Sequence, residues 1–332
     1  EMLYTVAGWR APFVMVNVSR GLSAPITLEP DHNDILAARD SGFLQIHAAT
    51  CQEVLDSVLM AYRLSEDARV RLPVIVNLDG FYLSFTREPV EVPKEDKVLS
   101  FLPPFDPENI RFRASTPISQ AVAVLGGGPY SYFRYETHLA ALNALSVFDE
   151  ISVEFGRFFG RSFDAVEAYR TEDAEFVFVM MGSFATKAKE ATDRLREAGW
   201  LVGLVRPKLF RPFPKEHFLK LLKGKKGIAV IDQNISMGKG GVLYTELASV
   251  LYGSLDDGPV MASFIGGLGG RDISSEEFFE IAKVIRRAAE EGKAPPPRLL
   301  YTEEELREMR KLQVIANAER NQAGKRVGKK DE

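Results

Sequence analysis

Pro73-Val74-Ile75-Val76-Asn77-Leu78-Asp79-Gly80-Phe81-Tyr82-Leu83-Ser84 is a short β-branched apolar run that stops abruptly at Asp-Gly. A run of this length without alternation reads as a strand buried on both faces, the kind found in parallel sheets. An earlier segment, Pro12-Phe13-Val14-Met15-Val16-Asn17-Val18-Ser19-Arg20-Gly21, echoes it. Each strand sets a polar cluster at its carboxyl end, where open α/β sheets hold ligands. The pair places a candidate site at a sheet edge around Arg20.

Around these two runs the pattern is strand 13–18, helix 32–41, strand 43–47, helix 51–66 and strand 74–78. In 51–66, Val54, Leu55, Val58, Leu59, Tyr62 and Leu64 fall near helical spacing. Pro89, Pro93, Pro103, Pro104 and Pro107 mark 88–107 as a loop or extended arm. The run from Ala121 to Tyr130 is apolar and broken by a turn at Gly126-Gly127-Gly128, and a helix follows near 137–157. From 174 the alternation is regular. Strands 175–181, 201–205, 227–232 and 259–265 are each followed by a helix, at 186–198, 215–222, 241–253 and 274–291. Such alternation predicts an α/β fold with parallel sheet covered by helices on both faces. Pro295-Pro296-Pro297 closes the unit, and a charged tail begins as a helix over 303–322.

A chain of 332 residues with 45% hydrophobic content, 27% charged content and net charge −4 is an ordinary globular protein, long enough for two domains. Its basic residues are scattered, with no stripe for nucleic acid. No apolar stretch reaches membrane-span length, and there is no signal-peptide pattern. The single Cys51 cannot make an intrachain disulfide or ligate an iron–sulfur cluster, which takes about four thiolates. It reads as a small buried apolar side chain in a helix. His32, His47, His138 and His217 lack metal-ligand spacing. A cytoplasmic protein is expected, with any redox centre on another chain.

Several signatures fail. Gly238-Lys239-Gly240-Gly241-Val242-Leu243 has leucine where a dinucleotide fingerprint needs its third glycine, and Gly267-Leu268-Gly269-Gly270-Arg271-Asp272 ends in aspartate. Both segments read first as tight turns between strand and helix. Ser23, in Gly21-Leu22-Ser23-Ala24-Pro25, lacks the glycine of a nucleophile elbow. Asp31 and Asp34 read as an N-cap and capping-box acid for a helix closed by Gly42. His32 is open between site wall and local hydrogen bonding. Arg20 is open between a surface ion pair and a planar fork that holds a substrate carboxylate with two charge-assisted bonds.

Val16-Asn17-Val18-Ser19-Arg20-Gly21-Leu22-Ser23-Ala24-Pro25, Asp31-His32-Asn33-Asp34 and Ala37-Ala38-Arg39-Asp40-Ser41-Gly42 together resemble the alpha subunit of pyruvate:ferredoxin oxidoreductases. So do Asn77-Leu78-Asp79-Gly80-Phe81 with Glu88-Pro89-Val90, Phe101-Leu102-Pro103-Pro104, Arg211-Pro212-Phe213-Pro214, and Gly266-Gly267-Leu268-Gly269-Gly270-Arg271-Asp272. The ordered set, running to about residue 290, is what makes the resemblance specific.

The resemblance implies a pyrimidine-type thiamine diphosphate domain over 1–160, a transketolase C-terminal-like domain over 161–300 and a charged tail over 301–332. It implies a subunit that works only with beta, gamma and delta type partners. The complex would decarboxylate pyruvate oxidatively to acetyl-CoA and carbon dioxide and reduce ferredoxin. Thiamine diphosphate and Mg would be held mostly by a partner, [4Fe-4S] clusters would lie on partners, and coenzyme A would be co-substrate. The family's substrate-carboxylate arginine falls on Arg20, with Ser23 and His32 as further substrate-binding candidates. The family's Tyr-Pro-Ile-Thr-Pro-type loop and aminopyrimidine-activating glutamate are not among these residues, so another chain or a preceding segment of about a hundred residues is expected to carry them. Alternatives are the same chemistry on a branched-chain 2-oxoacid or oxalate, and a non-catalytic scaffold subunit.

Overall fold

The computed structural model describes residues 1–23, 25–107, 111, 113–119, 123–255 and 258–327, without the side chains of 321–327. These fall into two compact units, Glu1–Arg298 and Leu299–Glu332. The first unit begins with α1 (Met2–Gly8), β1 (Val14–Ser19), α2 (Asn33–Ala37), β2 (Leu44–His47), α3 (Cys51–Ser65) and β3 (Val74–Asp79). The β-branched run of β3 is buried throughout. It lies between β1 and β2 and pairs in parallel with both, with Asn17 opposite Asn77 and Ser19 opposite Asp79. The two echoing segments are therefore neighbours in one sheet.

Thr50 caps α3 by accepting the Glu53 N–H at 3.2 Å. The helix buries Leu59 and Leu64 and leaves Tyr62 exposed. Cys51, expected to be buried, is only half-buried at the first position of α3. Its N–H donates to the Glu88 carboxylate at 3.0 Å, and burial together with that carboxylate pushes the thiol pKa up.

The Pro-rich stretch is not all extended. Residues between Pro93 and Pro103 form α4 (Glu95–Phe101), with Glu95 and Asp96 in the first turn, where carboxylates complement the helix dipole. Its Phe101 packs at 5.7 Å from Phe155 and 5.3 Å from Phe159. Those rings belong to α5 (Gly127–Phe159), which starts ten residues earlier than periodicity predicted. Pro129 is tolerated there because first-turn N–H groups have no intrahelical acceptor. Ala121 and Val122, within the expected apolar run, lie outside the described residues.

The remaining elements are β4 (Val166–Tyr169), β5 (Phe176–Met180), α6 (Phe184–Glu197), β6 (Val202–Pro207), β7 (Leu209–Arg211), α7 (Lys215–Leu222), β8 (Gly227–Asp232), α8 (Val242–Leu251), β9 (Val260–Ile265), a 3-10 turn at Leu268–Gly270 and α9 (Ser275–Glu291). Strands β9-β8-β5-β6-β4 lie side by side, parallel except for β4. Strand β7 leaves that sheet and pairs antiparallel with β2, giving the first sheet the order β1-β3-β2-β7.

One face of the first sheet (Leu44, Ile46, Val74, Val76) packs on α3 and α5. The other face joins an apolar cluster that continues through Ile75, Phe43 and Phe210 to Val177, Val205 and Val230 of the second sheet. Stretches 1–160 and 161–300 thus share a core. The second unit carries α10 (Glu303–Val327), five residues longer than the pattern predicted. Reciprocal bonds between Thr302 and Glu305 start it as a capping box.

Candidate functional site

The carboxyl ends of β1, β3, β5 and β8 converge on the loop 20–34. Gly21 N–H donates to Glu29 O at 3.0 Å, closing the loop on itself. The loop is then pinned to the second sheet: Gly270 N–H donates to Pro30 O at 2.8 Å, and His32 N–H to Gln233 O at 2.8 Å. Ile235 N–H donates to Asn33 Oδ1 at 3.1 Å, and the Tyr82 hydroxyl to Gly270 O at 2.7 Å.

Alternation along β1 sorts its side chains. Val16 and Val18 point outward, 48% and 39% exposed, and Arg20 follows on the same parity and is also exposed. Among the described residues the Arg20 guanidinium has no hydrogen-bond or ion-pair partner; only its backbone N–H is engaged, with Asp34. The ion-pair alternative for Arg20 therefore finds no partner among those residues. Its stem runs over Gly80, where a Cβ would stand 3.1 Å from Arg20 Cγ and 2.5 Å from the Ser19 carbonyl oxygen. Ser23 is exposed on a bend two residues past Gly21, and Ala24 lies outside the described residues.

Asn17 and Ser19 point the other way, toward α2. Helix α2 spans only Asn33–Ala37, and its N-cap is His32 without a side-chain bond, so the predicted capping box does not form. Asp31 instead accepts the Asn33 N–H at 3.0 Å. Asp34 reaches across to Ser19 Oγ and to Asn17 Nδ2 at 3.1 Å on the polar inner face of β1, while also accepting the Ile35 N–H in the first turn of α2 at 2.6 Å. Gly42 has a left-handed φ of 94° but lies beyond the helix end.

His32 does not line the surface. It is 1% exposed, and its Nε2 is 2.8 Å from Asp79 Oδ1. The other Asp79 oxygen accepts the Ser183 N–H at 2.7 Å and the Ser183 hydroxyl at 2.6 Å. Gly182, at φ 73°, allows this approach, since a Cβ there would fall 2.7 Å from the His32 ring and 2.8 Å from Asp79 Oδ2. Burial alone would lower the His32 pKa, but the Asp79 charge and hydrogen bond, with Asp34 and Asp31 behind, hold it above its ordinary value. Burial would raise Asp79, yet His32 and Ser183 hold it below its ordinary value.

His47, whose ring lies 5.6 Å from His32, is pushed down to about 3 by burial and by the His32 charge, and so is neutral. Its Nδ1 faces the Asn77 amide N at 3.4 Å and so accepts, which places its ring proton on Nε2. On the second-sheet side, burial raises Asp232 to about 7 although Leu243 and Tyr244 donate N–H bonds to it. The Gly238–Gly241 segment is a tight turn there: a Cβ on Gly241 would fall 1.9 Å from Asp232 Oδ2.

Sequence reasoning named Arg20, Ser23 and His32 but missed the Asn17–Asn77 pair, the Asp34 clamp and the Asp79–Ser183 bonds. The echo of the two strands carried a signal for the asparagines, since equal position in paired parallel strands makes them neighbours. Nothing local marks Ser183, 104 residues from Asp79. Among the described residues no three His, Cys, Asp or Glu side chains stand together to hold a metal. No described helix is long and apolar enough to cross a membrane.

Comparison with known proteins places this chain in a family. Residues 1–151 match the family model described as pyruvate flavodoxin/ferredoxin oxidoreductase, thiamine diphosphate-binding, and residues 174–278 match pyruvate:ferredoxin oxidoreductase core domain II. The chain is 40% identical to the pyruvate synthase subunit PorA of Pyrococcus abyssi, covering 90% of this chain and 75% of that one. It is 42% identical to PorA of Methanothermobacter thermautotrophicus, over 85% and 72% respectively. It is 40% identical to the ketoisovalerate oxidoreductase subunit VorA of Pyrococcus horikoshii, over 88% and 74%. The fold matches a 2-oxoglutarate:ferredoxin oxidoreductase from Magnetococcus marinus with TM-score 0.55 at 17% identity, covering 88% of this chain and 50% of that one. On the sequence matches the chain belongs to the 2-oxoacid:ferredoxin oxidoreductases, as a relative of their alpha subunits.

Proposed function

We propose that this chain is the alpha subunit of a pyruvate synthase-type complex that converts pyruvate and coenzyme A to acetyl-CoA and carbon dioxide, passing two electrons singly to ferredoxin. Residues 1–160 would form the pyrimidine-type domain and 161–300 the transketolase C-terminal-like domain, with 301–332 as a charged tail. Beta, gamma and delta type partners would hold most of the thiamine diphosphate, its Mg and the [4Fe-4S] clusters. The described residues fit neither metal group, since no three candidate ligands converge. They do fit one side of a flat apolar ring: Val16 and Val18 offer an apolar platform, with Arg20 next in line.

The observation that carries the reading is the unpaired Arg20 guanidinium at the carboxyl end of β1. There it would hold the 2-oxoacid carboxylate by two charge-assisted bonds. The thiamine ring, when bound, supplies the sink for the electron pair left as carbon dioxide departs. Because the carboxylate loses its charge on the way to the transition state, Arg20 contributes mainly to binding and orientation. Ser23, on the same loop, would be a second polar contact, and His32 would act only through the loop it anchors.

The test is reconstitution with the partner subunits, reading coenzyme A-dependent dye reduction with pyruvate, 2-oxoisovalerate and oxalate. Pyruvate should give the highest kcat/KM. Arg20→Ala should raise the KM for pyruvate on the order of 100-fold, as expected for loss of a bidentate charged contact. A wild-type KM in that variant overturns the assignment. The 40% identity to VorA supports a second reading, with 2-oxoisovalerate as the preferred substrate. A higher kcat/KM for that acid decides for it.

A further inference from the structure

The Asp34 carboxylate gathers four donors. Its Oδ2 accepts from Asn17 Nδ2 at 3.1 Å and from the Arg20 backbone N–H at 3.3 Å. Its Oδ1 accepts from Ser19 Oγ and from the Ile35 N–H at 2.6 Å. Three of these donors belong to β1 or to the residue that ends it. The carboxylate therefore grips the strand end from its inner face, while the Arg20 side chain leaves from the outer face. The grip is braced. Asn17 also donates to Asn77 Oδ1 at 2.8 Å on β3, and the Ser19 hydroxyl proton is shared with the Asp31 carbonyl oxygen at 2.7 Å. On the opposite side Gly80 leaves room for the Arg20 stem.

We infer that Asp34 is a positioning residue for the 2-oxoacid reaction: it fixes the backbone from which Arg20 reaches the substrate carboxylate. This rests on the reading of Arg20 given above. Arg20 has no side-chain partner of its own among the described residues. With a long side chain so free, the direction of its fork is set where its backbone is held, and small misplacement of a binding group is costly. Asparagine cannot replace the acid. Whichever way the amide turns, its NH2 faces a backbone N–H, that of Arg20 on one edge or that of Ile35 on the other.

The assay uses the reconstituted complex and a double-mutant cycle. In the wild-type background Asp34→Asn should raise the KM for the 2-oxoacid about tenfold, leaving the KM for coenzyme A unchanged. In the Arg20→Ala background the same substitution should change that KM less than about twofold, because the group it positions is gone. An unchanged KM in the single variant, or an equal factor in both backgrounds, overturns the positioning role. A purely structural residue would give that equal factor along with a lower Tm. If Arg20→Ala itself leaves KM unchanged, the reading of Arg20 fails instead, which separates the two failures. Should Asp34→Asn not assemble, Ser19→Ala removes one of the four donors. It should then raise KM about threefold, and only with Arg20 present; no rise overturns the inference.

Discussion

His32 Nε2 and Asp79 Oδ1 lie 2.8 Å apart, fully buried, at the point where the ends of β3 and β5 meet. The pair ties the loop after β1 to both sheets, and its ionisation gives stability a definite pH dependence. His32 is held above its ordinary 6.5, so its contribution is complete below that pH and is lost as pH rises through the raised value. Asp79 is held below its ordinary 3.8, so its contribution is complete above that pH and is lost as pH falls through the lowered value. Replacing His32 by Gln should cost most stability between these limits and progressively less in alkaline buffer. Urea denaturation at several pH values reads this; a pH-independent cost rules out a charged pair.

Arg206, 1% exposed, fastens α3 to the second sheet. It meets Glu53 through two nitrogens and Glu167 through Nε at 2.6 Å. Although burial opposes it, Arg206 with Lys208 holds Glu53 at about 2. Arg206→Met leaves two carboxylates short of their partner and should cost about 3–5 kcal/mol. Adding Glu53→Gln should then cost less than it does alone, since the orphaned charge is removed. Additive losses in denaturant titrations would show that the three residues do not act as a unit.

What could be read beforehand and what could not divides along sequence distance. The β-branched run at Val74–Asp79 and the strand–helix alternation after residue 174 are local patterns, and patterns of this kind locate seven of the nine numbered strands; β4 and β7, with 4 and 3 residues, escaped. Their edge positions depend on pairing with β6 and β2, which periodicity does not report. Arg20 could be nominated because its motif is contiguous. Its supports could not: Asp34 looked like a helix cap because capping and clamping use the same residue types. Which role it takes depends on what faces it across the fold.

Gly80 is where two backbones meet. Its N–H donates to the Ser19 carbonyl oxygen at 2.9 Å, and an added Cβ would stand 2.5 Å from that same oxygen. Backbone cannot swing aside as a side-chain tip can. Gly80→Ala should therefore destabilise the protein by about 1–3 kcal/mol and displace Arg20, whose Cγ is next in line. The expected kinetic signature is a raised KM for the 2-oxoacid with an unchanged KM for coenzyme A. Unaltered stability and kinetics together would mean that the strand end relaxes freely.

Asp232 should show the opposite pH dependence to Asp79. Burial raises it from 3.8 to about 7, against the N–H bonds from Leu243 and Tyr244 and the charge on His32. Between those two values the folded protein keeps a proton that the unfolded chain has released. Stability then falls as pH rises across the window, by up to about 1.4 kcal/mol per pH unit, and levels off above it. Asp232→Asn copies the protonated form and removes this term, while its oxygen can still accept an N–H at the start of α8. The stability advantage of wild type over the variant should accordingly shrink from pH 4 to pH 7 and then stay constant. An advantage that grows with pH would mean the carboxylate is charged in the fold, with the two helix N–H bonds outweighing its burial.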